Sequence, residues 1–288
     1  MRCVGAVVLT CAASLVASCG GGDTSGGGAG GGTGGSAVGG GGGSGGASSG
    51  SGGEGQPPCH NYALRFDGID DVVDVADHPA LDGLTAFTVE VRIRPGPGIG
   101  DREMEIFSHH LHPTHGYALI FQSYTPLMGR MFYESTLLEV SGGAEPDDTS
   151  KEFTEGVWTN VALTFDGTTT ALFVDGARVA SRDANIKQPS DVDAVLRIGG
   201  SAKSGQFAFA GAMDVMRLSK VARYTDSGPT PAHEWQADDD TIALWRFDEA
   251  WGFEAIDETG EHHGVLDGFE GPSNGPQYER ILCEGVIP

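Results

Sequence analysis

The sequence predicts an all-β fold, with antiparallel sheets stacked as a sandwich or closed as a barrel. Three observations predict it. The stretch Gly156 to Ser181, GVWTNVALTFDGTTTALFVDGARVAS, alternates apolar with small or polar residues around Asp166-Gly167 and Asp175-Gly176. Asp-Gly between alternating runs is a strong hairpin signal, because the tight turn needs positive φ and Gly supplies it without steric cost. Phe87, Val89, Val91 and Ile93 alternate with Thr88, Glu90, Arg92 and Arg94, as on a half-buried strand, up to Pro95-Gly96-Pro97-Gly98. Short runs of this kind recur at near-regular spacing with turn residues between them, and helix signals are few.

Taken in order, strands are expected at Tyr62 to Asp67 and Asp71 to Val75, around a turn at Gly68. Ala86 to Arg94, Met104 to Ser108, Gly116 to Ser123, Gly129 to Glu134 and Leu137 to Val140 follow. Three strands then come from the Asp-Gly region. Ala194 to Ile198, Gln206 to Leu218 (interrupted at Gly211), Thr241 to Phe247 and Val265 to Leu266 complete the set. Pro79 to Leu84 and Pro231 to Gln236 suit single helical turns. Trp158 and Trp245, with alternating apolar neighbours, are expected to fill the core.

Ahead of this domain the chain reads differently. Val4 to Val16 is apolar, as long as the h-region of a signal peptide and too short to span a bilayer. Val16-Ala17-Ser18-Cys19 resembles a bacterial lipobox, which implies residues 1–18 as a lipoprotein signal peptide and Cys19 as the lipidated residue. Gly20 after the Cys favours the outer membrane, facing the periplasm or the cell surface. From Gly20 to Gly55, 22 of 36 residues are Gly. Such a composition cannot build a core, so residues 19–56 are expected to be a flexible linker with a root-mean-square reach of about 30–35 Å. The domain then occupies 57–288. Of five Cys, Cys3 and Cys11 leave with the signal, so Cys59 and Cys283 remain at the two ends of the domain. In an exported chain they are expected to pair as a disulfide closing a loop of over 200 residues.

The formal net charge is −23, with 17 basic and 40 acidic residues. That balance excludes nucleic acid and anionic lipid surfaces as partners and is compatible with cation binding.

Five segments carry a resemblance. ALRFDGIDDVVDV, FTVEVRIRP, VWTNVALTFDGTTTALFVDGARVA, LRIGGSAKSGQFAFAGAMDVMRLSKVAR and ALWRFDEAWGFEAIDETGEHHGVLDG occur in order between about residues 61 and 267. They resemble the motifs of LamG-like domains, in the concanavalin A-like lectin/glucanase superfamily. The resemblance implies a two-sheet antiparallel jelly-roll sandwich. It also implies a binding module for a carbohydrate or matrix component, with a protein-binding envelope role as the alternative. The chain departs from the family pattern at Arg92, Asn160, Val215 and Ala250-Trp251.

Candidate sites follow. In such a jelly roll the first strand and the late Gly-x-Met-Asp strand are neighbours, so Asp67 and Asp70, with Asp71, are expected to meet Asp214. Ca2+ needs six to eight oxygens, and carboxylates on a tight turn suit it. The same Asp side chains can instead shape their own turn by bonding its backbone. His109-His110-Leu111-His112-Pro113-Thr114-His115 has the density of a transition-metal site. Alternation sends neighbouring His to opposite faces, however, and Pro113 marks a loop, so a polar loop near the rim is expected. Glu103 and Glu105 share a strand face, but no third acid follows as in the glycosidases of this superfamily, so no catalytic residue is assigned. Tyr117, Tyr124, Tyr133, Trp235 and Trp251 are candidates for stacking on a sugar ring.

Overall fold

The computed structural model describes residues 62–123, 125–142, 153–201, 207–224, 235–268 and 274–281. In chain order the strands are β1 (Tyr62–Asp67), β2 (Val72–Val75), β3 (Phe87–Pro95), β4 (Met104–Leu111), β5 (His115–Gln122), β6 (Thr125–Tyr133), β7 (Thr136–Gly142) and β8 (Thr159–Phe165). They continue as β9 (Thr169–Val174), β10 (Ala177–Asp183), β11 (Leu196–Ile198), β12 (Ala210–Ser219), β13 (Thr241–Trp245), β14 (Glu254–Ala255), β15 (Gly264–Asp267) and β16 (Gln277–Arg280). One 3-10 turn, Pro79–Leu81, lies between β2 and β3.

Both Asp-Gly corners turn the chain. At the second, Asp175 and Gly176 take φ of 47° and 77°, joining β9 to β10 through two residues. At the first, Gly167 has positive φ (88°) and the loop is longer. There the Asp166 carboxylate accepts hydrogen bonds from the Thr168 and Thr169 amides at 2.8 and 2.7 Å.

The strands form two antiparallel sheets. One has the order β10-β9-β8-β3-β12-β1-β16, with β13 also on β12. The other has the order β14-β15-β2-β11-β4-β5-β6-β7. β3 lines one edge of β12 along its length, while β1 and β13 share the opposite edge end to end. Between the sheets lies a core that includes Phe66, Val73, Val91, Phe107, Leu119, Leu163, Met216 and Trp245. Trp245 is fully buried, and its indole N–H donates to the His262 carbonyl at 2.9 Å.

The structure corrects several expectations. β12 begins only at Ala210, with residues 207–209 outside any strand, and its register shifts lie between Met213 and Val215 against β3 and between Leu218 and Ser219 against β13. Trp158 lies outside the main core. It packs with Ala63, Ala212 and Ile281, and the guanidinium groups of Arg92 and Arg94 lie 5.0 and 5.1 Å from its ring. The polar face of β3 is buried rather than wetted, with Thr88 and Glu90 fully enclosed. Residues 221–224 cover part of it: the Thr88 hydroxyl donates to the Val221 carbonyl, and the Arg223 amide donates to Thr88. β14 and β16 are additional strands. Cys19, Cys59, Cys283, Tyr124 and the Gly-rich stretch lie outside the described residues, as does most of Pro231 to Gln236. Among the described residues no helix is long and apolar enough to cross a membrane.

Candidate functional site

The corner between β1 and β2 is built from its own carboxylates. Asp67 Oδ1 accepts from the Ile69 amide at 2.7 Å, and Asp71 Oδ2 accepts from the Asp67 amide at 2.7 Å. These bonds tie a turn whose pivot, Gly68, has φ of 80°. A Cβ there would meet the Ala210 Cβ at 2.7 Å, so the turn sits directly against the start of β12. Asp67, Asp70 and Asp71 each bring a carboxylate oxygen within 4.8 Å of the others. Burial pushes the Asp71 carboxyl up to about 6, and the charges of Asp67 and Asp70 add to the shift, against the Asp67 amide and Arg65. Three carboxylates so placed suit a hard cation. The Gly68 carbonyl is already engaged, accepting from the Arg102 guanidinium at 2.8 Å.

Asp214 does not join them. β1 and β12 are neighbours as expected, but Asp67 pairs with Ala210, and Asp214 lies four residues farther along β12. There it forms an ion pair with Arg92 at 2.6 Å. The departure at Arg92 thus has a physical reason: a cation on β3 meets the buried Asp214.

A groove opens on the outer face of the first sheet. It has a volume of about 550 Å³ and is lined by Thr164, Asp166, Thr169, Ala171, Phe173, Arg178, Ala222 and Tyr224. Alternation places Thr164 on β8 and Ala171 and Phe173 on β9 away from the core. Tyr224 leans on Phe173 with ring centroids 5.0 Å apart. Its hydroxyl donates to Glu90 at 2.5 Å, and Arg217 donates to the same carboxylate at 2.7 Å. The floor is therefore anchored from below, and the rim carries hydroxyls, a carboxylate and a guanidinium. Little in the sequence points to this site, because it needs residues 222–224 to fold over a face supplied by β8, β9 and β10.

The other candidates separate by exposure. Tyr117 is buried, with its hydroxyl donating to the Leu81 carbonyl at 3.1 Å, and Trp235 is buried beneath Arg217. Tyr133 is partly buried against the core. Trp251 is 83 % exposed and is followed by Phe253 at 56 % and Ile256 at 41 %. Glu103 bonds Arg130, and the buried Glu105 bonds His110 Nε2 at 3.1 Å.

The histidine run is mostly strand rather than loop. His109 and His110 are buried on β4, and His112 is exposed in the turn to β5. As alternation requires, His109 and His110 take opposite faces. Each has an acidic neighbour that is distant in sequence or on the same strand face. His109 Nε2 stands 3.4 Å from Asp82 Oδ1, and Asp77 completes a group whose ligand atoms lie within 4.8 Å of one another. Burial holds the His109 imidazole below the usual histidine range, against the pull of Asp82 and Asp77.

Comparisons with known proteins agree on the fold. A family model, Laminin_G_3, described as the concanavalin A-like lectin/glucanases superfamily, matches residues 67–227. A solved structure from Bacteroides ovatus, provisionally described as a carbohydrate binding protein, superposes with a TM-score of 0.58 at 18 % identity, covering 79 % of this chain and 62 % of that one. This chain thus spans less than two thirds of that protein. Domains LG4-5 of the mouse laminin α1 chain give a TM-score of 0.44 at 14 % identity, covering 60 % of this chain and 48 % of that one. The CBM40 domain of a Ruminococcus gnavus sialidase, bound to α2,3 sialyllactose, gives 0.42 at 13 %, covering 59 % and 96 %. No curated protein matches.

Proposed function

Because the chain belongs to the concanavalin A-like lectin/glucanases superfamily, we propose that it is a carbohydrate-binding module, moored to the outer membrane through a lipidated Cys19. The groove on the first sheet carries the reading. A volume of about 550 Å³ accommodates one or two sugar rings. Sugars present hydroxyls at their edges and C–H groups on their faces. Thr164, Thr169, Asp166 and Arg178 suit the former, and Phe173, Tyr224, Ala171 and Ala222 suit the latter. Ca2+ held by Asp67, Asp70 and Asp71 is the proposed metal, without Asp214.

A glycan array followed by calorimetry, with and without chelator, tests this. At least one polysaccharide is expected to bind, about tenfold or more weaker to Arg178→Ala. Absence of binding in both conditions, or equal binding by the variant, refutes the groove. Loss of binding with chelator, restored by Ca2+ in wild type but not in Asp70→Asn, supports the metal.

The exposed Trp251, Phe253 and Ile256 favour a second reading, a protein partner in the envelope. It is preferred if Trp251→Ala abolishes cell-surface assembly while Arg178→Ala leaves it intact.

The proposed disulfide has support from register. Tyr62 pairs with Arg280, so the described ends of the domain, next to the segments that carry the two Cys, lie side by side. The intact mass of the membrane-extracted protein, with and without reduction, reads both this bond and acylation at Cys19. Two free thiols, or an unmodified Cys19, removes the corresponding part.

A further inference from the structure

The geometry points to a second metal centre: Asp77, Asp82 and His109 form a binding site for a divalent transition-metal ion, of which zinc fits best. This goes beyond carbohydrate binding and does not depend on it. His109 is fully buried, and neither ring nitrogen makes a hydrogen bond of good geometry: Nε2 has only the long 3.4 Å approach of Asp82 Oδ1, and the Val195 backbone is the other polar group acting on the ring. A buried polar atom without a hydrogen bond costs roughly 1–3 kcal/mol, so its retention calls for a partner. Its Nε2 faces Asp82, and one ring nitrogen and one oxygen from each of Asp82 and Asp77 lie within 4.8 Å of one another.

The spacing suits a small ion. Zinc binds His nitrogen and carboxylate oxygen at about 2.0–2.1 Å, and in a tetrahedron such bonds set ligand atoms about 3.3–3.4 Å apart. His109 Nε2 and Asp82 Oδ1 are 3.4 Å apart. One imidazole with two carboxylates is a donor set for a borderline ion, whereas Ca2+ takes oxygens alone. Asp77 is exposed and Asp82 half-buried, so one side remains open to solvent for entry and for a water ligand.

The surroundings hold two of the three ligands in place. Asp82 closes the 3-10 turn, and its Oδ1 accepts the Val192 amide at 2.9 Å. Tyr117 meets the His109 ring edge-on at 5.7 Å, and its hydroxyl holds the Leu81 carbonyl of the same turn. Such outer contacts orient metal ligands and tune their affinity. Asp77, on the segment between β2 and the turn, is the ligand free to close over the ion.

The test uses the full mature chain, stripped with EDTA and titrated with zinc by calorimetry. Cobalt in its place reports coordination geometry by its absorption. Wild type is expected to bind zinc at this site with a rise in Tm and to give a tetrahedral cobalt spectrum. Asp77→Asn alters an exposed side chain, so the metal-free Tm should hold while zinc affinity falls more than about tenfold, the loss seen when even an outer partner of a ligand is removed. His109→Gln should abolish the cobalt spectrum. Asp67→Asn, at the other acidic corner, should bind zinc as wild type does. No zinc bound by wild type, undiminished binding by Asp77→Asn, or loss in Asp67→Asn overturns the proposal.

Discussion

Glu90 and Asp71 are both acidic and both buried, at 0 % and 4 % exposure, and the protein treats them oppositely. Glu90 receives hydrogen bonds from Arg217 and from Tyr224, at 2.7 and 2.5 Å. Asp71 receives the Asp67 amide and faces the charges of Asp67 and Asp70. Asp257 shows a third arrangement. Burial pushes its carboxyl up, but hydrogen bonds involving His262, Thr259 and Leu244 outweigh that and hold it below the usual range. A buried negative charge is tolerated according to the donors around it, and burial alone says little.

The comparison breaks first at Glu90. Glu90→Ala strands a guanidinium that is nearly enclosed, which should cost about 3–5 kcal/mol in urea unfolding. A loss below about 1 kcal/mol would mean that Arg217 and Tyr224 find other partners and that Glu90 is not held by these two donors.

A smaller effect of opposite sign is expected at Asp71. Its folded value of about 6 lies above the ordinary 3.8, so its contribution is intact below pH 3.8 and is lost as pH rises through 6. Asp71→Asn should therefore stabilise the protein by about 1–3 kcal/mol above that range and leave it unchanged near pH 3. A difference that is flat across pH would show that its neighbours do not act on it. Repeating the series in Ca2+ sharpens the contrast: a cation at the corner should erase the advantage of Asn.

Much of the fold was legible because period-two alternation and Asp-Gly corners are local signals. The run Thr159 to Asp183 needed nothing beyond its own residues. β16, Gln277–Arg280, has no apolar alternation and is a strand because β1 offers it an edge. The cover over the polar face of β3 is not legible, since alternation looks the same whether the outward side meets water or a covering segment. Of the acidic corner, Asp67, Asp70 and Asp71 were legible as one turn. Asp214 was misplaced because adjacency of strands does not fix register. The cluster of His109 with Asp77 and Asp82 is not legible in the sequence, because the two acids lie before β3 and His109 after it, and only the fold brings them together.

β1 has a further consequence. It is the first described strand, yet it is flanked on both edges, by β12 and by β16. A pull on the chain ahead of Tyr62 runs along the strand and strains both rows of main-chain hydrogen bonds in shear, together rather than one at a time. Tension applied ahead of Tyr62 is therefore shared between two neighbouring strands from the start.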